Sequence, residues 1–146
     1  MEEVRNLDVF FYPKSVAVIG ASRDPKKTGN ALIQNLLNYG YQGTVYPVNP
    51  TEDEILGVKA YQSIGEIPGK VDLAIFTVPA PAVVKLMEEC GHKGVRAGVV
   101  HSSGFAEAGK EGAQLQKQMV EIARKYGIRL VGPNCVGILC TESRLP

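Results

Sequence analysis

Five short runs of aliphatic, largely β-branched residues recur along this chain with long amphipathic stretches between them, and that alternation constrains the fold more than any other feature. The runs are SVAVI at Ser15–Ile19, TVYPV at Thr44–Val48, LAIFTV at 73–78, GVVHS at 98–102 and RLV at Arg129–Val131. All but the last are free of charge, as expected of strands covered on both faces. A short VKAY at 58–61 reads as a further edge strand. Between the runs, Leu32, Ile33, Leu36 and Leu37 line one face of a helix at 30–39. Val83, Leu86, Met87 and Cys90 form a second stripe at 81–92, and Leu115, Met119, Ile122, Ala123 and Tyr126 a third at 110–126. Such 3.6-residue spacing marks helices that bury one face, and Gly40 and Gly127 supply stops. Residues 63–67 make at most a helical turn. Buried strands linked by helices require parallel pairing through long crossovers. The expected fold is α/β, a Rossmann-like, doubly wound, mainly parallel sheet in three layers.

The length of 146 residues leaves room for one core, so a single domain is expected over 1–146, with 1–12 as an N-terminal extension and 139–146 as a tail. Phe10, Phe11 and Tyr12 are expected to dock that extension. Sixteen basic against fifteen acidic residues give a net charge of +1, too little to condense on a nucleic-acid backbone or an anionic membrane. No apolar run approaches the ~18–20 residues that span a bilayer, and the start MEEVRNLDVFFYPKS lacks a basic, apolar leader. A cytoplasmic protein is expected. Cys90, Cys135 and Cys140 fit neither a disulfide framework nor a paired zinc site.

In an open α/β sheet, ligands bind outside the carboxyl ends of the strands. The first such loop runs from Gly20 through Ala21, Ser22, Arg23, Asp24, Lys26 and Lys27 to a helix start. Helix N-terminal amides attract phosphate, and three cations beside them add charge-assisted donors, so this loop reads as an anion site rather than an ordinary solvated turn. The G-x-G-x-x-G of a dinucleotide site is absent, and the second strand ends Val48-Asn49-Pro50 where a ribose-binding carboxylate would stand. A Walker loop is absent as well. Val78-Pro79-Ala80-Pro81 is a rigid apolar loop suited to a flat ring, and equally suited to starting a helix. His101-Ser102-Ser103-Gly104 brings hydroxyls and a glycine to a strand end, and Gly132-Pro133-Asn134-Cys135 turns an amide toward the same edge. His101 and Cys135 each lack a second member of a catalytic dyad, so both read as packing or ligand contacts. His92 reads as a solvated helix-end residue, and no paired-carboxylate site is legible.

Taken in order, SVAVIGAS with PKKTGN, YPVNP with an acidic stretch ending ILG, VDLAIFTVPAP, GVVHSSGF and IRLVGPNCVGI resemble the CoA-binding domain of ADP-forming acyl-CoA synthetases, the acetate–CoA ligases related to the succinyl-CoA synthetase alpha subunit. The resemblance implies coenzyme A as ligand. It implies that Gly20, Ala21, Ser22 and Arg23 hold its phosphates with Lys26 or Lys27 near the ribose phosphate. Val48, Asn49, Pro50, Val78, Pro79 and Pro81 would then frame the adenosine. His101, Ser102, Ser103 and Gly104 would follow the pantetheine toward the thiol, with Asn134 near that end. Members of the family carry a lysine after V-N-P, where this chain has Thr51-Glu52-Asp53. Phosphohistidine and ATP-grasp domains or subunits are the implied partners, and a homo-oligomer is a further option. The chain alone is expected to bind CoA without turning it over; the alternative is a nucleotide-sensing Rossmann module that acts through a partner protein.

Overall fold

The computed structural model describes residues 7–146; the first half of the expected N-terminal extension lies outside the described residues. A short helix, α1 (Asp8–Phe11), precedes the first strand, β1 (Ser15–Ile19). There follow α2 (Thr28–Asn38), β2 (Thr44–Val48), the two-residue strands β3 (Glu54–Ile55) and β4 (Val58–Lys59), β5 (Leu73–Phe76), α3 (Ala80–Lys93), β6 (Ala97–Val100), α4 (Lys110–Tyr126) and β7 (Arg129–Val131). Single 3-10 turns lie at Ile64–Glu66 and Ala106–Ala108.

Five parallel strands form one sheet in the order β2-β1-β5-β6-β7. The alternation of side chains along each strand divides the core in two. Val16, Val18, Leu73, Ile75, Ala97 and Val99 meet Ile33 and Leu36 of α2 on one face. On the other face, Ala17, Ile19, Ala74, Phe76 and Val100 meet Val83 and Met87 of α3 and Met119 and Ala123 of α4. This is the expected three-layer, Rossmann-like arrangement, and it explains why the central strands read as unbroken apolar runs. Gly98 makes room between layers, since a Cβ there would lie 2.9 Å from Leu130 Cδ2.

Several expectations need correction. The run at 58–61 is no edge strand of the main sheet: β3 and β4 pair antiparallel as a separate hairpin, turned by Leu56 and Gly57 at positive φ and anchored by the fully buried Ile55. Tyr61 alone reaches the main sheet, through an isolated bridge to Val48. Strand β5 ends at Phe76, and the Thr77 N–H makes its last bond to β1, to the Ile19 carbonyl at 2.9 Å, with the Thr77 hydroxyl on the same oxygen at 3.0 Å. Strand β6 spans Ala97–Val100, and helix α2 begins at Thr28, two residues ahead of Asn30. Of the aromatic triplet, Phe10 alone is buried; Phe11 and Tyr12 are exposed, and Tyr12 donates its hydroxyl to Glu142 at 2.6 Å. The polar-looking tail is likewise part of the fold. Leu145 enters the core, and Cys140 and Leu145 exchange backbone hydrogen bonds at 2.8 and 3.0 Å.

Candidate functional site

The chain leaves β1 in one direction to form β2 and in the other to form β5, so the carboxyl edge between β1 and β5 is the topological switch point. Gly20 stands there with φ of 90°, where a Cβ would lie 2.6 Å from Thr77 Oγ1 and 2.9 Å from Val78 Cγ1. Glycine is what allows the loops after β1 and β5 to cross this closely. Gly29, in the first turn of α2, comes closer still: its Cβ would lie 2.1 Å from the Gly20 carbonyl oxygen. The helix start is thereby pressed against the loop after β1.

No side chain caps α2, whose N-cap is Lys27 in extended conformation. Of the first-turn amides, Asn30 N–H donates to the Lys27 carbonyl at 3.0 Å, which leaves those of Thr28 and Gly29 for a ligand at the positive end of the helix dipole. Asn30 fixes the junction by donating Nδ2 to the Ser22 carbonyl at 2.8 Å. Its side-chain oxygen, in a residue only 1% exposed, accepts from no donor. A buried acceptor without a partner is costly, and a phosphate, which offers only acceptors, would not relieve it. The uncapped helix and the close glycine contacts are the two features here that suit an anion such as a diphosphate.

Asn49 ties the first loop to the one after β2. Its Nδ2 donates to the Ala21 carbonyl at 2.8 Å, and its Oδ1 accepts from Thr51 N–H at 2.8 Å and from Thr51 Oγ1 and Glu52 N–H at 3.1 Å. Arg23 crosses the same gap. Its Nε lies 2.8 Å from Glu52 Oε2 and donates to the Glu54 carbonyl at 2.9 Å. Lys26 and Lys27 are exposed beside it, and Pro50 is exposed at the turn. Ala21 is fully buried and Val48 is 4% exposed, so both shape the wall while the Val48 carbonyl accepts from Gly20 N–H.

On the other side of the switch point, Thr28, Thr77, Val78, Pro79, His101, Ser102 and Ser103 line a cavity of about 260 Å³. Thr28 and Thr77 were not singled out by the sequence, because the end of β5 at Phe76 is not visible in the run LAIFTV. Ser102 donates its hydroxyl to the Val78 carbonyl at 2.5 Å, pinning the end of β6 to that of β5. Ser103 is the exposed hydroxyl of the pair. Gly104 has φ of 96° and donates its N–H to Glu107 Oε1 at 2.5 Å, a bond that helps hold the Glu107 carboxyl below its ordinary pKa. Asn134, at φ of 52°, donates its N–H to the Ser102 carbonyl at 3.0 Å, which brings the GPNC turn to the same edge. Pro81 sits exposed in the first turn of α3 and outside this cavity.

His101 is half-buried, and burial pushes its imidazole below the ordinary pKa, so it is neutral near pH 7. Cys135 directs its thiol to the Val100 carbonyl at 3.3 Å, and burial raises its pKa. Both are arranged as neutral groups. His92 is exposed at the end of α3, 3.3 Å from the Tyr126 hydroxyl. Among the described residues there is no cluster suited to a metal ion and no helix long and apolar enough to cross a membrane.

Known proteins extend this picture. The alpha subunit of acetate–CoA ligase [ADP-forming] II from Pyrococcus furiosus is 55% identical over 139 residues, covering 95% of this chain and 30% of the subunit. The dinucleotide-forming acetyl-coenzyme A synthetase 1 of Ca. Korarchaeum cryptofilum, solved with phosphate and ADP, superposes with a TM-score of 0.91 at 44% identity, over 95% of this chain and 30% of that one. A hypothetical protein from Pyrococcus horikoshii OT3 has nearly the same size: the match covers 92% of this chain and 84% of that one, with a TM-score of 0.70 at 27% identity. This chain thus spans about a third or less of the ligase relatives named here. The family described as CoA binding domain matches residues 14–141, the strands and all the loops described above, and the chain belongs to that family.

Proposed function

We propose that this chain is the CoA-holding part of an ADP-forming acyl-CoA synthetase, and that it binds CoA across the β1/β5 switch point. In this reading the diphosphate rests on the first turn of α2 and the Gly20–Arg23 loop, with Lys26 or Lys27 toward the ribose end. The adenosine lies between the Asn49–Pro50 turn and Val78–Pro79. The pantetheine follows the cavity from Thr77 past His101, Ser102 and Ser103 to Gly104 and Asn134. The observation that carries the reading is the crossing of the loops after β1 and β5 at Gly20, with the uncapped α2 pressed behind it through Gly29. The relatives named above make acyl-CoA thioesters by their printed names, which supports the same assignment.

Acyl transfer and nucleotide chemistry would then belong to phosphohistidine and ATP-grasp partners, and the reading puts the reaction in the cytoplasm. The exposed Val136, Leu139 and Tyr39 are apolar surface available to such partners or to a second copy. The chain-sized relative from Pyrococcus horikoshii supports a second reading, a stand-alone CoA-binding protein. Calorimetric titration with CoA and NAD tests the common core: CoA binds and NAD does not, and equal affinity for the two overturns the assignment. Acetyl-CoA formation from acetate, ATP and CoA by the chain alone would overturn the non-catalytic part.

A further inference from the structure

The ribose end of this site is electrically balanced, and that sets which adenosine ligand it prefers. In doubly wound sheets the residues just past the second strand meet the ribose of the bound nucleotide. Here Asn49 follows that strand directly, and Glu52, Asp53 and Glu54 come three to five residues later on a backbone that is firmly held. The antiparallel β3–β4 pair holds Glu54, buried Ile55 anchors it, Ala60 N–H donates to the Asp53 carbonyl at 2.8 Å, and Asn49 Oδ1 gathers Thr51 and Glu52 from the strand side. These contacts fix the backbone that carries the three carboxylates, and the ion pair with Arg23 fixes the Glu52 side chain as well.

The cations nearby do not outweigh them. Arg23 is already compensated by Glu52 at 2.8 Å and oriented by the Glu54 carbonyl. Lys59 faces Glu54 across the hairpin and lies 5.3 Å from the Tyr61 ring centroid. Lys26 and Lys27 are offset in sequence by Asp24. Arg23, Lys26, Lys27 and Lys59 against Asp24, Glu52, Asp53 and Glu54 make four positive and four negative charges, a sum of zero. A phosphomonoester carries nearly two negative charges and binds where cationic donors exceed acids, whereas a carboxylate at this position accepts from a free ribose hydroxyl.

We propose that the site does not select for the 3′-phosphate of CoA: Glu52 accepts from a free ribose hydroxyl, and 3′-dephospho-CoA binds at least as tightly as CoA. The inference rests on the CoA reading above and sharpens it to the adenosine end. Calorimetry with CoA and with dephospho-CoA tests it directly. The expected dissociation constant for dephospho-CoA equals that for CoA or is smaller by up to about tenfold, and the gap narrows as salt is raised. CoA binding more than about threefold tighter than dephospho-CoA overturns the proposal. In Glu52→Lys the order reverses, with CoA favoured by about tenfold, and Glu52→Gln moves in the same direction by a smaller factor. An unchanged ratio in both variants also overturns it. Absence of binding by either ligand overturns the CoA reading itself, and this inference with it.

Discussion

Replacing Gly29 by alanine isolates the contact on which the site is built. Alanine normally favours a helix over glycine by about 1 kcal/mol, and Gly29 is helical without a positive φ, so propensity alone predicts stabilisation. The space argues the other way. The new Cβ would stand 2.1 Å from the Gly20 carbonyl oxygen, 2.8 Å from its carbonyl carbon and 3.0 Å from Ala21 Cα. All three neighbours are backbone, so relief requires moving the loop after β1 or the start of α2 by about 1 Å. Overpacking of this kind costs about 1–3 kcal/mol. With the propensity gain of about 1 kcal/mol set against a cost of about 2–3 kcal/mol, the net loss of about 1–2 kcal/mol lowers Tm by roughly 3–6 °C for a domain of this size. Binding should suffer more than stability, because the displaced atoms are the ones that present the anion-binding amides. Thermal melts of Gly29→Ala with and without CoA, beside Gly65→Ala as a control, give the measurement. Gly65 meets only Ser63 Oγ at 3.8 Å and should tolerate the methyl group. A Gly29→Ala protein as stable as wild type, with wild-type CoA affinity, would refute the reasoning.

Arg23→Ala removes an exposed pair and should cost less than about 1 kcal/mol of stability, while weakening CoA and dephospho-CoA alike because Arg23 shapes both loops around the diphosphate. A loss confined to CoA in parallel titrations would instead put Arg23 at the 3′-phosphate. His101 has a folded pKa below its unfolded value, so the unfolded chain takes up the proton first and stability is lost as pH falls from about 6.5 through the folded pKa. Denaturant midpoints of His101→Gln between pH 7 and pH 5 should therefore fall less than those of wild type; parallel curves would show that another group carries the acid sensitivity. Cys140 has its thiol pKa lowered by hydrogen bonding with Ser143, whereas burial pushes the fully buried Cys90 far up. Disulfide reagents at neutral pH should modify Cys140 first and Cys90 only after unfolding, read by mass spectrometry of timed digests.

The strands and helices were legible because this sheet is covered on both faces, so SVAVI and LAIF carry no charge and the helices keep one apolar stripe each. Their ends were less legible. Strand β5 ends at Phe76, and nothing within the run LAIFTV marks that point. The hairpin at residues 54–59 was misplaced because two-residue strands have no periodicity to read, and Ile55 looks like any isolated apolar residue until it is seen in the core. The loops were found in the right order, yet the division of labour inside them was not. Asn49 and Ser102 spend polar groups on holding loops together, Val48 and Ala21 lie in the wall, and the orphaned oxygen of Asn30 belongs to a residue that sequence spacing counts as the plain start of a helix.

The bond between Tyr12 and Glu142 ties the segment ahead of β1 to the segment after β7. The two are joined below the surface as well, since Phe10 and Leu145 are buried in the same apolar layer as Ile33 and Leu36 of α2. The stretches that flank the sheet in sequence are thus closing pieces of one core layer, and trimming either would open that layer to water.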